Sequence, residues 1–270
     1  MQYTPDKEKA MLYGIRVYQP KRVRDPECVE ELRKYHADVI VVIAFGQILP
    51  KSVLELTPYG CINVHASLLP KYRGAAPIQW AIIEGESVTG VTTMQMDEGL
   101  DTGDMIMKTE VPIAEDETGE TLHDKLAAAG AELCVETLKA LEDGTAVHEE
   151  QGESPTAYAK MLTKELGNID WTQPAIRIER LIRGLNSWPG THSHWNGKVM
   201  KIWKAKAEEN SGGNNQPGTV ISIGKNDFTV QTGDGVLRIL EVQMPGKKRM
   251  ETGAFLRGNT MEPGNLLTQE

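Results

Sequence analysis

Residues 38–65 read D-V-I-V-V-I-A-F-G-Q-I-L-P-K-S-V-L-E-L-T-P-Y-G-C-I-N-V-H. The run at 38–45 is β-branched and apolar almost throughout, which is the pattern of a strand buried on both faces of a parallel sheet. Pro50 opens a short helix over 51–56, and a second strand follows at 60–65. Upstream, Val29 and Leu32 share one side of a helix predicted over 26–36. Downstream, a helix over about 76–84 leads to a third strand at 90–96. Strands alternating with helices predict an α/β fold with a parallel, doubly wound, Rossmann-like sheet. Such a sheet usually opens with a strand and a Gly-rich turn. This chain instead begins in polar, helix-like sequence (6–13) and a short strand at 15–19, so the domain is expected to be N-terminally truncated.

Further along, an extended segment at 105–113 precedes a long helix over 121–142, with Leu122, Leu126, Leu133, Leu138 and Leu141 roughly on one face. Gly144 ends it. The polar stretch 145–155 lacks large apolar residues and serves as the expected linker. The predicted division is a first domain over 1–144, a linker over 145–163 and a second domain over 164–270. The second domain has a helix at 173–185, then strands at 192–195, 198–204, 218–223, 228–232 and 236–242. Asn196-Gly197 and other Gly-rich turns separate them, and closely spaced antiparallel strands of this sort predict a small OB-like β-barrel. The tract 208–216 (E-E-N-S-G-G-N-N-Q) reads as a mobile loop.

Of the 270 residues, 40% are hydrophobic and 25% charged, enough apolar content for a sizeable core. No apolar run approaches the roughly 18–20 residues that span a bilayer. The first residues, M-Q-Y-T-P-D-K-E-K, lack the apolar core of a signal peptide. A cytoplasmic protein is expected, with Cys28, Cys61 and Cys134 as reduced thiols. The net charge of −9 argues against a nucleic-acid partner, but the charge is uneven. Residues 97–153 hold 17 acidic and 3 basic side chains, whereas 160–206 hold 9 basic and 3 acidic. An acidic body joined to a basic second half suggests either a polyanion-binding surface or simply a solvated face.

Chemistry is carried by the end of the second strand and two loops. Side chains alternate along a strand, so Asn63 and His65 point to one face. The carboxyl ends of strands in an open α/β sheet are where ligands sit. An amide N–H beside an imidazole can bind a carbonyl oxygen that becomes an oxyanion, and the imidazole can move a proton. A lone histidine here would ordinarily be a satisfied core residue. The loop 96–104, M-D-E-G-L-D-T-G-D, adds carboxylates after the next strand. By spacing alone, either Asp97 or Asp101 could work beside His65.

The ordered matches N-V-H-A-S-L-L-P-K-Y-R-G-A-A-P at 63–77 and M-D-E-G-L-D-T-G-D at 96–104 resemble the folate-dependent formyltransferases, in the form that acts on an aminoacyl-tRNA. A-F-G-Q-I-L-P at 44–50, I-D-W at 169–171, R-G-L-N-S-W-P at 183–189 and P-G-K-K-R-M with F-L-R-G at 245–258 extend the resemblance over nearly the whole chain. The family usually has Pro where this chain has Ser187. The resemblance implies a catalytic trio of Asn63, His65 and Asp101. It places Ser67, Leu68, Leu69 and Pro70 against tetrahydrofolate, and Phe45, Gly46, Gln47, Ile48, Leu49, Asp97 and Leu100 around the pterin. The implied reaction moves a formyl group from 10-formyltetrahydrofolate to the α-amino group of initiator methionyl-tRNA, with no metal and no membrane and with the chain as a monomer. The basic stretch would then face tRNA, while its tryptophans are expected in the core.

Two other readings differ in what they predict. A formyltransferase for a small amine would share the trio but show no affinity for initiator tRNA. A catalytically incomplete fragment would bind folate or tRNA without turnover, and the family's opening strand and basic loop have no counterpart before Thr4-Pro5. In that case the strand at 38–45 would lack a neighbour and leave an apolar edge.

Overall fold

A computed structural model describes residues 3–209, 213 and 215–269. Within the tract at 208–216, residues 210–212 and 214 lie outside the described residues. The first half carries α1 (Pro5–Leu12), α2 (Pro26–Arg33), β1 (Ile40–Val42), α3 (Lys51–Leu54), β2 (Cys61–His65), α4 (Pro77–Glu84), β3 (Val88–Gln95), β4 (Met105–Pro112) and α5 (Gly119–Glu142). Its sheet has the order β1-β2-β3-β4. The α/β class stands, with one correction to the sheet. Only β1 and β2 are parallel; β3 runs antiparallel to β2 and forms a hairpin with β4. The physical reason is that an apolar run fits a buried strand in either direction, and strand direction is decided by pairing.

β1 is also shorter than the apolar run at 38–45. Among the described residues it pairs with β2 alone, and Val41, Ile43 and Phe45 are exposed, so the run is not buried on both faces. Residues 15–19, expected as a strand, carry no regular structure. α2 and α3 cover the other side of β1, where Val23, Cys28, Val29, Val42, Leu49 and Val53 pack together.

The long helix packs as its leucine pattern requires. Leu122, Leu126 and Leu133 of α5 lie with Ile82, Val91 and Val111 in one apolar cluster. A capping box at Thr118 and Thr121 starts the helix two residues before the expected boundary, closed by Thr121 N donating to Thr118 Oγ1 at 3.2 Å. Gly130 lets α5 approach closely, since a Cβ there would sit 3.2 Å from Val64 Cγ1 on β2. Thr137 on α5 and Thr93 on β3 share a buried hydroxyl bond of 2.8 Å.

The second half has α6 (Ala175–Gly184), β5 (Thr191–Trp195), β6 (Lys198–Glu208), β7 (Val220–Ile223), β8 (Phe228–Gln231), β9 (Val236–Gln243), β10 (Met250–Glu251) and α7 (Thr252–Gly258). Its strands run in the order β5-β6-β9-β8-β7, with β10 beside β9. Asn196 (φ 50) and Gly197 (φ 69) turn β5 into β6, as an Asn-Gly hairpin should. The outer strands are tied by the chain's last residues: His194 on β5 bridges Thr268, and Thr219 beside β7 bridges Leu266. The two outer strands are therefore linked through one segment by isolated bridges, and among the described residues no continuous ladder closes the sheet into the expected barrel. Inside it Met200, Ile202, Val220, Phe228, Leu237 and Ile239 are fully buried and packed with Ile178 of α6 and Phe255 of α7.

Trp171 and Trp195 are in this core, as expected, but Trp188 is 57% exposed. Among the described residues no helix is long and apolar enough to cross a membrane.

Gly90 on β3 connects the packing to the site. A Cβ there would lie 2.0 Å from the Thr109 carbonyl and 2.5 Å from Leu68 Cδ2. Gly90→Ala must therefore move β4 or the turn after β2. We expect a stability loss of about 1–3 kcal/mol, of the kind overpacking produces, read as a lower urea midpoint with an unchanged slope.

Candidate active site

Asn63 and His65 lie on β2, two residues apart, and both are buried. Because β3 is antiparallel, the loop 96–104 does not leave at the carboxyl end of β2, where a parallel sheet would have placed it. It starts beside Cys61, whose carbonyl accepts the Met96 N–H at 2.8 Å. The loop's base is closed by Gln95 N donating to the Asp104 carbonyl at 2.8 Å. From there the loop folds back to Asn63 and His65. Gly103 allows the closure, since a Cβ would fall 1.8 Å from the Gln95 carbonyl.

Asp101 is the acid that arrives. Asn63 Nδ2 lies 3.4 Å from Asp101 Oδ1, and His65 Nδ1 lies 3.8 Å from the same oxygen. Asp101 Oδ2 accepts the backbone N–H of Gly74 at 2.9 Å. Asp97 turns inward on its own loop, accepting from Gly99 N and Thr102 Oγ1, both at 2.9 Å. Of the two acids that spacing left open, Asp101 lies beside Asn63 and His65, whereas the hydrogen bonds given for the Asp97 side chain are to its own loop.

The tautomer of His65 follows from its partner. Nε2 lies 3.0 Å from the Tyr72 carbonyl, which can only accept, so Nε2 carries the hydrogen. Nδ1 is left facing Asp101. Tyr72 is itself fixed, with its N–H on Thr156 Oγ1 at 2.7 Å and its hydroxyl donating to Glu86 at 2.9 Å. Burial, reinforced by Glu86, pushes the Tyr72 hydroxyl well above its ordinary range, which keeps it a donor.

The turn after β2 is equally well held. Thr92 Oγ1 donates to the Ser67 carbonyl at 2.7 Å and accepts the Leu69 N–H at 3.0 Å. Ser67 and Leu69 are buried, while Leu68 and Pro70 are half-buried. The remaining residues expected around a pterin are more dispersed. Phe45, Gly46, Gln47 and Ile48 are exposed beyond β1, and the Gln47 side chain accepts the Val23 N–H at 3.0 Å. Leu49 is a core residue, and Asp97 and Leu100 are exposed on their loop. The trio lines neither of two surface cavities of about 370 and 330 Å³, which lie beside Pro174–Ile176 and beside Leu32–His36. Among the described residues no cluster of three or more His, Cys, Asp or Glu is arranged to hold a metal.

Sequence reasoning missed Gly74, Thr92 and Gln151. Gly74 sits inside the R-G-A-A-P motif, so its glycine was a visible signal. Its φ of 125° and a Cβ position 2.6 Å from the Ala159 carbonyl explain why only glycine fits. Gln151 had no such signal, because it falls in the polar linker.

The fold and this site define the class. Residues 2–138 match the formyl transferase family and residues 161–260 its C-terminal domain, so the chain belongs to the formyltransferase family. The methionyl-tRNA formyltransferase of Agathobacter rectalis is 59% identical over 268 residues, covering 99% of this chain and 86% of that protein. The protein of that name in Lachnospira eligens is 52% identical, covering 98% of this chain and 85% of its own length. Among solved structures, HypX from Aquifex aeolicus in complex with tetrahydrofolic acid aligns with a TM-score of 0.63 at 24% identity, over 87% of this chain and 42% of that one. That likeness is one of fold.

Thr92→Val keeps the shape of this buried residue and removes both hydroxyl bonds to the turn. It should cost about 1–3 kcal/mol, the penalty for leaving a buried carbonyl and N–H unpaired, measured by chemical denaturation.

Proposed function

We propose that this chain transfers the formyl group of 10-formyltetrahydrofolate to the α-amino group of initiator methionyl-tRNA. The observation that carries this reading is the meeting of Asn63, His65 and Asp101 on one face of β2. When bound, the folate supplies an activated formyl carbon. The Asn63 amide has two hydrogens; one is directed at Asp101, and the other is free for the formyl oxygen as it gains negative charge. His65, protonated at Nδ1, adds a second donor to that oxygen, and the Asp101 carboxylate balances its charge. Asp101 also assists the proton that the attacking nitrogen sheds on its way to the folate nitrogen, as the new C–N bond forms and the old one breaks. The buried Ser67–Leu69 turn, held by Thr92, offers a rigid wall for the folate, with Leu68 and Pro70 on its half-buried side.

The same reading assigns 1–144 to catalysis, 145–163 to the connector and 164–270 to tRNA. Lys198, Lys204 and Lys206 are exposed along β6, and Lys201 and Arg249 lie 5.3 and 5.2 Å from the half-buried Trp203 ring. Exposed cations along one strand suit a phosphate backbone. A single copy carries the whole trio, and the chain is taken to act as a cytoplasmic monomer.

The test is formation of formylmethionyl-tRNA from both substrates by the purified chain. No product, or no affinity for initiator tRNA, would overturn the reading. Asn63→Ala should lower kcat by roughly 10²–10³-fold, the size of losing one oxyanion donor, and Asp101→Asn by roughly 10²–10⁴-fold, the size of losing a group that assists proton transfer. Asp97→Asn should cost less than about tenfold, because among the described residues the Asp97 side chain hydrogen-bonds within its own loop.

A further inference from the structure

The segment between the two halves is not a free tether. It lies across the first half, where Met105 and Glu149 exchange backbone bonds of 2.8 and 2.9 Å. Ala159 donates its N–H to the Arg73 carbonyl at 2.7 Å and accepts the Ala75 N–H at 2.8 Å. Between these ties sits Gln151. Its Nε2 donates to the carbonyls of Asp101 at 3.0 Å and Gly103 at 2.7 Å. Its Oε1 accepts Arg73 Nε at 2.9 Å, and Arg73 Nη2 reaches the Gly152 carbonyl at 2.9 Å.

This arrangement answers a need at Asp101. Its backbone is left-handed, with φ 56, a conformation that an L residue other than glycine enters only at a cost. Something must hold it there. A primary amide has the right atoms, with two hydrogens for the two carbonyls of the loop and one oxygen for the arginine. Arg73 precedes Gly74, whose N–H holds the Asp101 carboxylate. Gln151 therefore joins the loop that carries the acid to the turn that receives it.

We propose that Gln151 is a positioning residue for formyl transfer, and that through it the connector is part of the active site. The inference rests on the role given to Asp101 above. Gln151→Glu tests it in the full chain: the carboxylate keeps its attraction for Arg73 but turns an oxygen toward both loop carbonyls. We expect kcat to fall by about tenfold or more, with KM for either substrate changing by less than about twofold, the mark of a misplaced catalytic group.

Amide hydrogen exchange supplies a second readout that does not depend on turnover. The Gly74 N–H should exchange faster in the variant, while the Ala75 N–H, held by Ala159, should keep its rate. A kcat within about twofold of the parent's, or Gly74 and Ala75 loosening together, would overturn the proposal. If the parent chain makes no product but Gly74 alone loosens, formyl transfer fails as the function, while Gln151 still holds Asp101 in place.

Discussion

The Asp101 carboxylate has to face Asn63 and His65 although it sits on a loop that begins at the far end of β2. Of its contacts, the bond from Gly74 N–H at 2.9 Å has full hydrogen-bond geometry. The approaches of Asn63 and His65, at 3.4 and 3.8 Å, are looser. Catalytic hydrogen bonds are often long until substrate is present, so the looser pair suits groups that must also turn to a ligand. The tight one suits an anchor. That anchor needs a glycine, because the Ala159 carbonyl leaves no room for a Cβ at residue 74. The connector that supplies Ala159 also supplies Gln151, so the acid is fixed from both its carboxylate and its backbone.

Several of these features could be read from the residues. The pairing of Asn63 with His65 follows from strand alternation, and the leucines of α5 and the Asn196-Gly197 hairpin appear where periodicity and turn chemistry put them. The direction of β3 could not be read. Val88–Gln95 is almost wholly buried, and a strand buried on both faces carries no alternation to reveal its partner. The error has a consequence at the site, since a parallel β3 would bring Asp101 in from the carboxyl end of β2. The connector was hidden for a different reason. It is held largely by backbone bonds and by polar side chains such as Gln151 and Thr156, and apolar periodicity is blind to those.

The same distinction applies to β1. Its residues are apolar enough for a central strand, yet Ile43 and Phe45 lie open beyond a three-residue ladder. Composition reports what a strand can bury, whereas its neighbours decide what it does bury. The Gln47–Leu49 segment that follows shows this within three residues. Leu49 turns into the core, and Ile48 stays 75% exposed.

Net charge gave a misleading first impression for a related reason. Some of the acidic side chains have local structural partners: Glu117 is buried against Lys125 and Thr121, Glu179 pairs with Arg183 at 2.9 Å, and Glu86 pairs with Lys71 at 3.1 Å. For Glu117, burial alone would raise the carboxyl pKa, but the Lys125, Thr121 and Ala114 contacts outweigh it and hold the group below its ordinary range. Charges neutralised in such pairs contribute little to the field beyond a Debye length. Among the described residues the exposed Lys198, Lys204 and Lys206 of β6 form no such ion pair. What a polyanion meets is therefore the local pattern on that strand, and a chain total of −9 does not argue against it.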